Sequence, residues 1–350
     1  MDGKHKNARS ESGLIAAWRE WIAPVAVAGA LALAVAGSVD FVHRSREKPP
    51  STQTGEQTVL TAQKRSAPGF VVAVRRPGTA VVVRDITSGR IVDETMPPPA
   101  GERYHQVAAG PNGTYIVSSY GAGRVAFHRL RLSGHGRAAG FTPLPRALTG
   151  VSTAWSDMAV SPDGGRIGYV TYQGATPRVD VLSLTTGAHR AWTTALKGRI
   201  SGLSWSGDTL SYVWASLSAP GRTPAAGQVR SLDTTRTGGD LRSSRAVLSL
   251  PRGGETAVMG RDAKTVVTGV SDQSGTTITA ITGFTTAGAQ QTGPQTRTVR
   301  RLPGSHGLAG LVLDHTGRYL LAVTGDGGMY ADSAREVPRI AGSDFTDVAW

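Results

Sequence analysis

The chain has 350 residues and no cysteine, which excludes disulfides, thiol nucleophiles, cysteine metal sites and a bacterial lipoprotein anchor. Apolar residues make up 39% and charged residues only 18%, so most of the chain is not a disordered polymer. The net charge is +13, but beyond position 70 no basic block is longer than Arg75-Arg76 or Arg300-Arg301. We therefore expect scattered surface arginines and no nucleic-acid partner. A cell-envelope polyanion is the alternative anionic ligand.

The first predicted element is a membrane helix. Residues 22–39 read IAPVAVAGALALAVAGSV and carry no charge. As a helix this run is about 27 Å long, close to the thickness of a hydrocarbon core of about 30 Å. Trp18 and Trp21 precede the run and Phe41 follows it, as in an interfacial aromatic belt. The pattern predicts a single transmembrane helix over residues 22–42.

The flanking residues predict how this helix is placed. We expect residues 1–21 to be a short cytoplasmic tail and the bulk of the chain to lie outside the cytoplasm, at the plasma membrane. A cleaved signal peptide is the alternative, because Ala34-Val35-Ala36 has the small-x-small form that a signal peptidase accepts. Residues 43–68 are polar and rich in Pro, Ser, Thr and Gln, which predicts a flexible stalk.

From residue 69 onward the hydrophobic period is two, which is typical of β-strands, as in FVVAV, YIVSS, RVDVLSL and YLLAV. One strand–turn–strand unit recurs at intervals of about 50 residues, the length of a four-stranded propeller blade. Its turns carry Asp or Asn followed by Gly, which supply the left-handed backbone of a tight hairpin. The units are MAVSPDGGRIGYV (158–170), VAAGPNGTYIVSS (107–119), LVLDHTGRYLLAV (311–323), VMGRDAKTVVTGV (258–270) and the shorter LSWSGDTLSYVWA (203–215).

These turns resemble those of TolB-type and WD40-like β-propeller repeats. So do the third strands, which are followed by turns that end at Gly89 and Gly187. The overall plan also resembles a family of membrane-anchored propellers of unknown function from actinobacteria, which open on a VVVRD…TGR motif like residues 81–90. The resemblance covers residues 69–350 and implies the fold, not an activity. The Trp-Asp and Gly-His signatures of true WD40 repeats are absent, so their partners are not implied.

The end of the chain completes the blade count. Five blades contain a first strand, which ends at Ala109, Val160, Trp205, Met259 or Leu313. The opening segment, residues 69–97, supplies three strands of a further blade without a first one. FTDVAW (345–350) matches WSDMAV (155–160) position by position, and so provides the missing strand. We therefore expect an all-β, six-bladed propeller of four-stranded antiparallel blades, closed by pairing of the C-terminal strand with the N-terminal blade.

One set of polar residues is a candidate site. Asp347, Gln106 and Asp157 occupy the same slot of the first strand in blades one, two and three. Resemblance to propellers implies that first strands line the central channel and begin near the ligand-binding face. Two carboxylates and an amide there suit a cation or a polyol. The alternative is that they satisfy backbone N–H groups or channel water.

The motifs exclude several reaction types. No G-x-S-x-G elbow, P-loop or dinucleotide-binding pattern occurs in a suitable context, and the eight histidines lack metal-ligand spacing. We therefore predict no catalytic residues, no metal and no cofactor. The leading hypothesis is a non-catalytic, membrane-tethered, extracytoplasmic binding or scaffolding module with a protein partner on one propeller face.

Two other functions stay open. A metal-dependent, lactonase-like propeller enzyme would use Asp157 and Asp347, with Glu255 nearby. A sensor component of an envelope-stress or sigma-factor system would need a membrane partner, because residues 1–21 are too few to fold as a sigma-binding domain.

Overall fold

The computed structural model describes residues 67–350 except 96, 218–225, 285–292, 304–306 and 332–344. The predicted tail, the predicted membrane helix and most of the predicted stalk lie outside the described residues. Among the residues described, no helix is long and apolar enough to cross a membrane.

The described part of the chain is an all-β, six-bladed propeller, as the repeat predicts. The first blade has the strand order β24-β1-β2-β3 and the second has β4-β5-β6-β7, each from the channel outward. Their bounds are β1 (Phe70–Arg75), β2 (Val81–Asp85), β3 (Ile91–Glu94), β24 (Phe345–Ala349), β4 (Arg103–Ala109), β5 (Thr114–Gly121), β6 (Arg124–Leu132) and β7 (Ala138–Thr149).

Blades three and four follow the same antiparallel plan, in the orders β8-β9-β10-β11 and β12-β13-β14-β16. Their bounds are β8 (Met158–Val160), β9 (Arg166–Gln173), β10 (Thr176–Ser183), β11 (His189–Thr193), β12 (Gly198–Ser206), β13 (Thr209–Ser216), β14 (Gln228–Asp233) and β16 (Arg245–Ser249). A two-residue strand β15 (Gly239–Asp240) adds a fifth, parallel strand outside β11. It comes from blade four, whose Leu241 is buried in one hydrophobic cluster with Trp192 of blade three.

Blade five has the order β17-β18-β19-β20, and blade six has three described strands in the order β21-β22-β23. Their bounds are β17 (Gly254–Met259), β18 (Val266–Asp272), β19 (Gly275–Thr282), β20 (Gln295–Pro303), β21 (Leu308–Leu313), β22 (Leu320–Thr324) and β23 (Met329–Ala331). The innermost strands end within one residue of the predicted positions in blades two to six.

The core lies between blades, because each inner strand is covered on both faces. In β1, Val71 and Ala73 pack in one cluster with Leu321 of blade six. The alternate residues Val72 and Val74 pack with Tyr104 of blade two. Successive side chains of a strand point to opposite faces, so the run FVVAV reads as continuously apolar rather than alternating.

The predicted closure of the ring is confirmed. Strand β24 pairs antiparallel with β1, with Ala349 opposite Val72 and Asp347 opposite Val74. Trp350 follows β24, is 2% exposed and makes an edge-on contact with Tyr319 of blade six, with 6.4 Å between ring centroids. The last residues therefore join blade one to blade six, and β24 pairs with the inner edge of β1.

Candidate functional site

The six inner strands begin on one face of the ring, which we call the mouth face. A cavity of about 200 Å³ lies in the channel and reaches this face, where Trp155 and Arg199 line it. The structure brings the three predicted site residues together, since all three line this cavity with polar residues of blades four and five. The polar lining residues are Gln106, Ser156, Asp157, Arg199, Ser201, Ser204, Thr256, Arg261, Thr346 and Asp347.

Both carboxylates accept hydrogen bonds from the backbone of the next blade. Asp347 of blade one accepts through Oδ2 from the N–H of Val107, at 2.7 Å. Asp157 of blade three accepts through Oδ2 from Leu203, at 3.0 Å, and through Oδ1 from Met158, at 2.7 Å. Each aspartate thus clamps its blade to the following one. A carboxylate has about four acceptor sites, so both retain capacity for a ligand.

The electrostatics of the pair follow from their depth in the channel. Burial raises the pKa of Asp347 well above its usual range, and the nearby charge of Asp157 raises that pKa further. Burial also raises the pKa of Asp157, while its backbone hydrogen bonds and Arg199 oppose the shift. The pair therefore binds a proton more readily than two ordinary aspartates do.

Gln106 has a different environment from the aspartates. Its side chain is only 6% exposed, and its backbone N–H donates to Ser118 Oγ at 2.9 Å. The neighbouring His105 Nδ1 lies 3.0 Å from Ser152 Oγ, which in turn lies 2.7 Å from the hydroxyl of Tyr169. This buried polar chain connects blades two and three, and burial lowers the pKa of His105. Gln106 therefore belongs more to the inter-blade network than to the open channel.

The clamp from one inner strand to the next recurs without a charge. Ser204 of blade four accepts through Oγ from the N–H of Met259 in blade five, at 3.0 Å. Gly202 lies at the same contact between blades, with φ +63° and with Ala257 O only 2.0 Å from where a Cβ would be. The backbones of two inner strands lie so close here that a side chain would not fit. This explains why blade four has glycine at the position where blades one and three have aspartate.

Two residues at the mouth were not predicted. Trp155 is 38% exposed and makes an edge-on contact with Tyr172, with 5.9 Å between ring centroids. Arg199 is exposed, and both residues line the cavity. In the alignment of FTDVAW with WSDMAV, Trp155 and Phe345 occupy equivalent positions. The repeat therefore marks an aromatic position at the mouth. No repeat position marks Arg199, whose relevance depends on how blades three and four meet.

The described residues contain no group of three or more His, Cys, Asp or Glu side chains placed to hold a metal ion. The buried acid–histidine contacts have internal partners. Asp180, for example, is fully buried and contacts His189 Nε2 at 2.7 Å, Arg178 at 2.6 Å and Thr171 Oγ1 at 3.1 Å. These groups connect strands of blade three and lie away from the mouth cavity.

Comparison with solved structures shows similarity to β-propellers, including TolB-type ones. TolB from Acinetobacter baumannii matches with a TM-score of 0.50 at 13% identity, over 75% of this chain and 60% of that chain. A chain of a nidogen/laminin complex matches with a TM-score of 0.51 at 12% identity, over 80% and 97%. A putative TolB from Agrobacterium tumefaciens gives a TM-score of 0.44 at 14% identity, over 75% and 83%.

At these identities the similarities show the fold alone. No protein-family model and no curated protein sequence matches the chain. The chain spans less than two thirds of the Acinetobacter TolB that it resembles.

Proposed function

We propose that this chain is a non-catalytic binding or scaffolding module, tethered to the plasma membrane through residues 22–42 with its propeller outside the cytoplasm. The observation that carries the proposal is the cavity at the mouth face. Residues of all six blades line it, and Trp155 and Arg199 line it at the mouth face. Concave sites with a few convergent polar groups are where propellers and other folds commonly bind ligands.

The lactonase-like alternative has weaker support. It requires several ligands that converge on one metal ion, whereas the described channel residues offer the pair Asp157 and Asp347. Both carboxylates already clamp neighbouring blades. A sensor role in envelope stress is compatible with the same mouth face, because sensing also begins with binding.

Site-specific photo-crosslinking in living cells tests the binding role. A benzoylphenylalanine probe replaces the exposed Arg124 or Arg252 on the mouth face, and the exposed Arg90 or Lys264 on the opposite face. We expect discrete adducts with a second protein from the mouth-face positions only. Adducts from the opposite face alone would show that the partner docks on that face. The absence of adducts from all four positions would argue against a binding module.

Proteolysis tests the location. The predicted stalk contains trypsin sites at Arg44, Arg46, Lys64 and Arg65. Trypsin added to intact spheroplasts is expected to release the propeller as a soluble fragment, because compact domains resist proteolysis better than linkers. A chain that is cut only after the spheroplasts are lysed would place the propeller in the cytoplasm. The untreated control keeps the full-length chain in the membrane fraction.

A further inference from the structure

Exposed large apolar side chains are clustered on the mouth face. Within the described part of the chain there are five, and Ile91 is the one that lies elsewhere. The other four, which we call the blade 3–4 patch, are Val151 (44% exposed), Trp155 (38%), Leu196 (51%) and Leu217 (40%). Single exposed apolar residues are ordinary, but a contiguous group at one place marks an interaction site.

Hydrogen bonds of Tyr172 connect the two blades that carry the patch. The Tyr172 hydroxyl donates to the carbonyl of Trp155, at 3.2 Å, and accepts from the N–H of Ile200 in blade four, at 3.0 Å. The Tyr172 N–H donates to the carbonyl of Val151, at 2.9 Å. The loop before β8 is thus held against the start of β12. A surface fixed in this way costs little conformational entropy when a partner binds.

The patch is bordered by positive charge. The N–H of Leu217 donates to the carbonyl of Lys197, at 3.3 Å, which places this lysine at the edge of the patch. Neither Lys197 nor Arg199 has an ion pair or a side-chain hydrogen bond to another described residue. In the described mouth-face loops of these blades (150–157, 174–175, 194–197, 217 and 226–227) the single carboxylate is Asp157, which is bonded to backbone N–H groups. The border therefore favours an anionic partner.

The shape of the surface distinguishes between anionic partners. Trp155 and Arg199 also line the channel cavity, so the patch adjoins a concave site of about 200 Å³. A lipid surface covers convex apolar tips, whereas a cavity accepts a side chain that projects from a polypeptide. Aromatic residues and arginine beside a pocket are also the residue types that dominate protein interfaces.

We infer that the blade 3–4 patch docks an acidic segment of a partner protein, whose carboxylates meet Lys197 and Arg199 and whose apolar side chain packs on Trp155. The inference rests on the proposed binding function and adds the position of the contact and the chemistry of the partner. It does not require a ligand deep in the channel.

Peptide selection on the full-length protein tests this inference. A random dodecapeptide phage library is selected against the protein in detergent micelles, and the affinity of the enriched peptides is measured by fluorescence anisotropy. We expect enrichment of peptides that combine Asp or Glu with an aromatic or aliphatic residue. We also expect their affinity to fall at high salt, because exposed charges are screened.

Variants assign the contact to the patch. Leu196→Ser, at a side chain 51% exposed, leaves the core unchanged and is expected to weaken binding by about tenfold. Trp155→Ala is expected to weaken it by more than tenfold, and Arg199→Gln by about three- to tenfold. The matched controls are Ile91→Ser, an equally exposed apolar residue elsewhere, and Arg124→Gln, an exposed arginine of blade two. Both are expected to leave the affinity unchanged within about twofold.

Several outcomes would overturn the inference. They are enrichment of basic or neutral peptides, affinities insensitive to the patch variants, and a selection that yields no peptide. Another such outcome concerns membranes. If the nanodisc-reconstituted protein binds phosphatidylglycerol vesicles and Leu196→Ser abolishes that binding, the patch contacts a membrane. If peptides fail while mouth-face crosslinks form in cells, the binding function stands and this docking site does not.

Discussion

At the residue scale, the two channel aspartates show how one side chain serves both architecture and electrostatics. Asp347 and Asp157 replace a backbone acceptor between blades, in a channel where their charge is poorly solvated. Burial favours the protonated form and outweighs the backbone N–H donors, so the pKa values of both carboxyl groups are raised. Stability should therefore depend on pH through these two residues.

The pH dependence has a definite sign. Folding raises the pKa of Asp347 above its ordinary value of 3.8, so the folded state binds the proton more tightly than the unfolded state does. Its contribution to stability is therefore present below about pH 4 and is lost as pH rises through the folded pKa. In Asp347→Asn this dependence should become weaker, because only the contribution of Asp157 remains. As pH rises from 4, we expect the melting temperature of the parent protein to fall more than that of the variant, by at least about 2 °C.

Asp163→Asn is the control for that measurement. The Ser161 hydroxyl and the Gly165 N–H lower the pKa of the Asp163 carboxyl. Its contribution is thus present above the ordinary pKa and is lost as pH falls. The melting temperatures of this variant and of the parent should therefore run parallel above that pKa and converge only in acid. Melting curves of parent and Asp347→Asn that run parallel across the whole range would contradict the prediction.

Gly202 allows a second test at this scale. It has φ +63° and lies against Ala257 of the next blade, whereas Gly207 has φ +55° and open space around it. Both Gly→Ala substitutions cost about 1 kcal/mol for the left-handed backbone. Gly202→Ala must also force two inner strands apart, so we expect it to lose at least about 2 kcal/mol more than Gly207→Ala in denaturant unfolding. Equal losses would mean that the blades separate easily at this contact.

At the scale of the element, the sequence predicts the inner strands well and the contacts between blades poorly. The Asp-Gly turns and the period of two are local signals, and they place the inner strands of blades two to six within one residue of their observed ends. The partners of Asp157 are not local: Leu203 lies 46 residues away on the next blade. Strand β15 escapes prediction for the same reason, because its two residues pair with β11 of another blade.

Removal of the last strand is the decisive test at this scale. Deleting residues 345–350 removes the ladder to β1 and the buried side chains of Val348, Ala349 and Trp350. We expect a loss of several kcal/mol, since each large buried side chain and each unmade hydrogen bond contributes. Differential scanning calorimetry measures the loss. Trp350→Phe, which keeps an aromatic ring in the seam, should retain most of the stability, whereas a truncated chain that melts within a degree or two of the parent would contradict the role of β24 as a closing strand.

At the scale of the whole molecule, the ring is closed in blade one. This blade differs from the others in that no turn connects its innermost strand, β24, to the next strand, β1. Strand β24 ends and β1 begins on the face opposite the mouth, where Ser161–Gly165 connects the corresponding strands of blade three. A circular permutant can therefore join residue 350 to residue 69 through a copy of that turn and open between Gly134 and His135, in the β6–β7 loop. We expect far-UV circular dichroism and a melting temperature close to those of the parent, because every strand keeps its neighbours. A permutant that aggregates or melts non-cooperatively would contradict this.

The seam also has a consequence for synthesis. Blade one contributes its three outer strands at the start of the propeller, but its inner strand is translated after all the other blades. While the ribosome makes the intervening segments, the inner edge of β1 exposes unpaired backbone groups and apolar side chains. Blades two to five can form as their strands become available, yet the ring closes only when residues 345–349 reach β1. The inner edge of β1 therefore stays unpaired until the last strand arrives, and a chaperone that binds unpaired strands should act on β1.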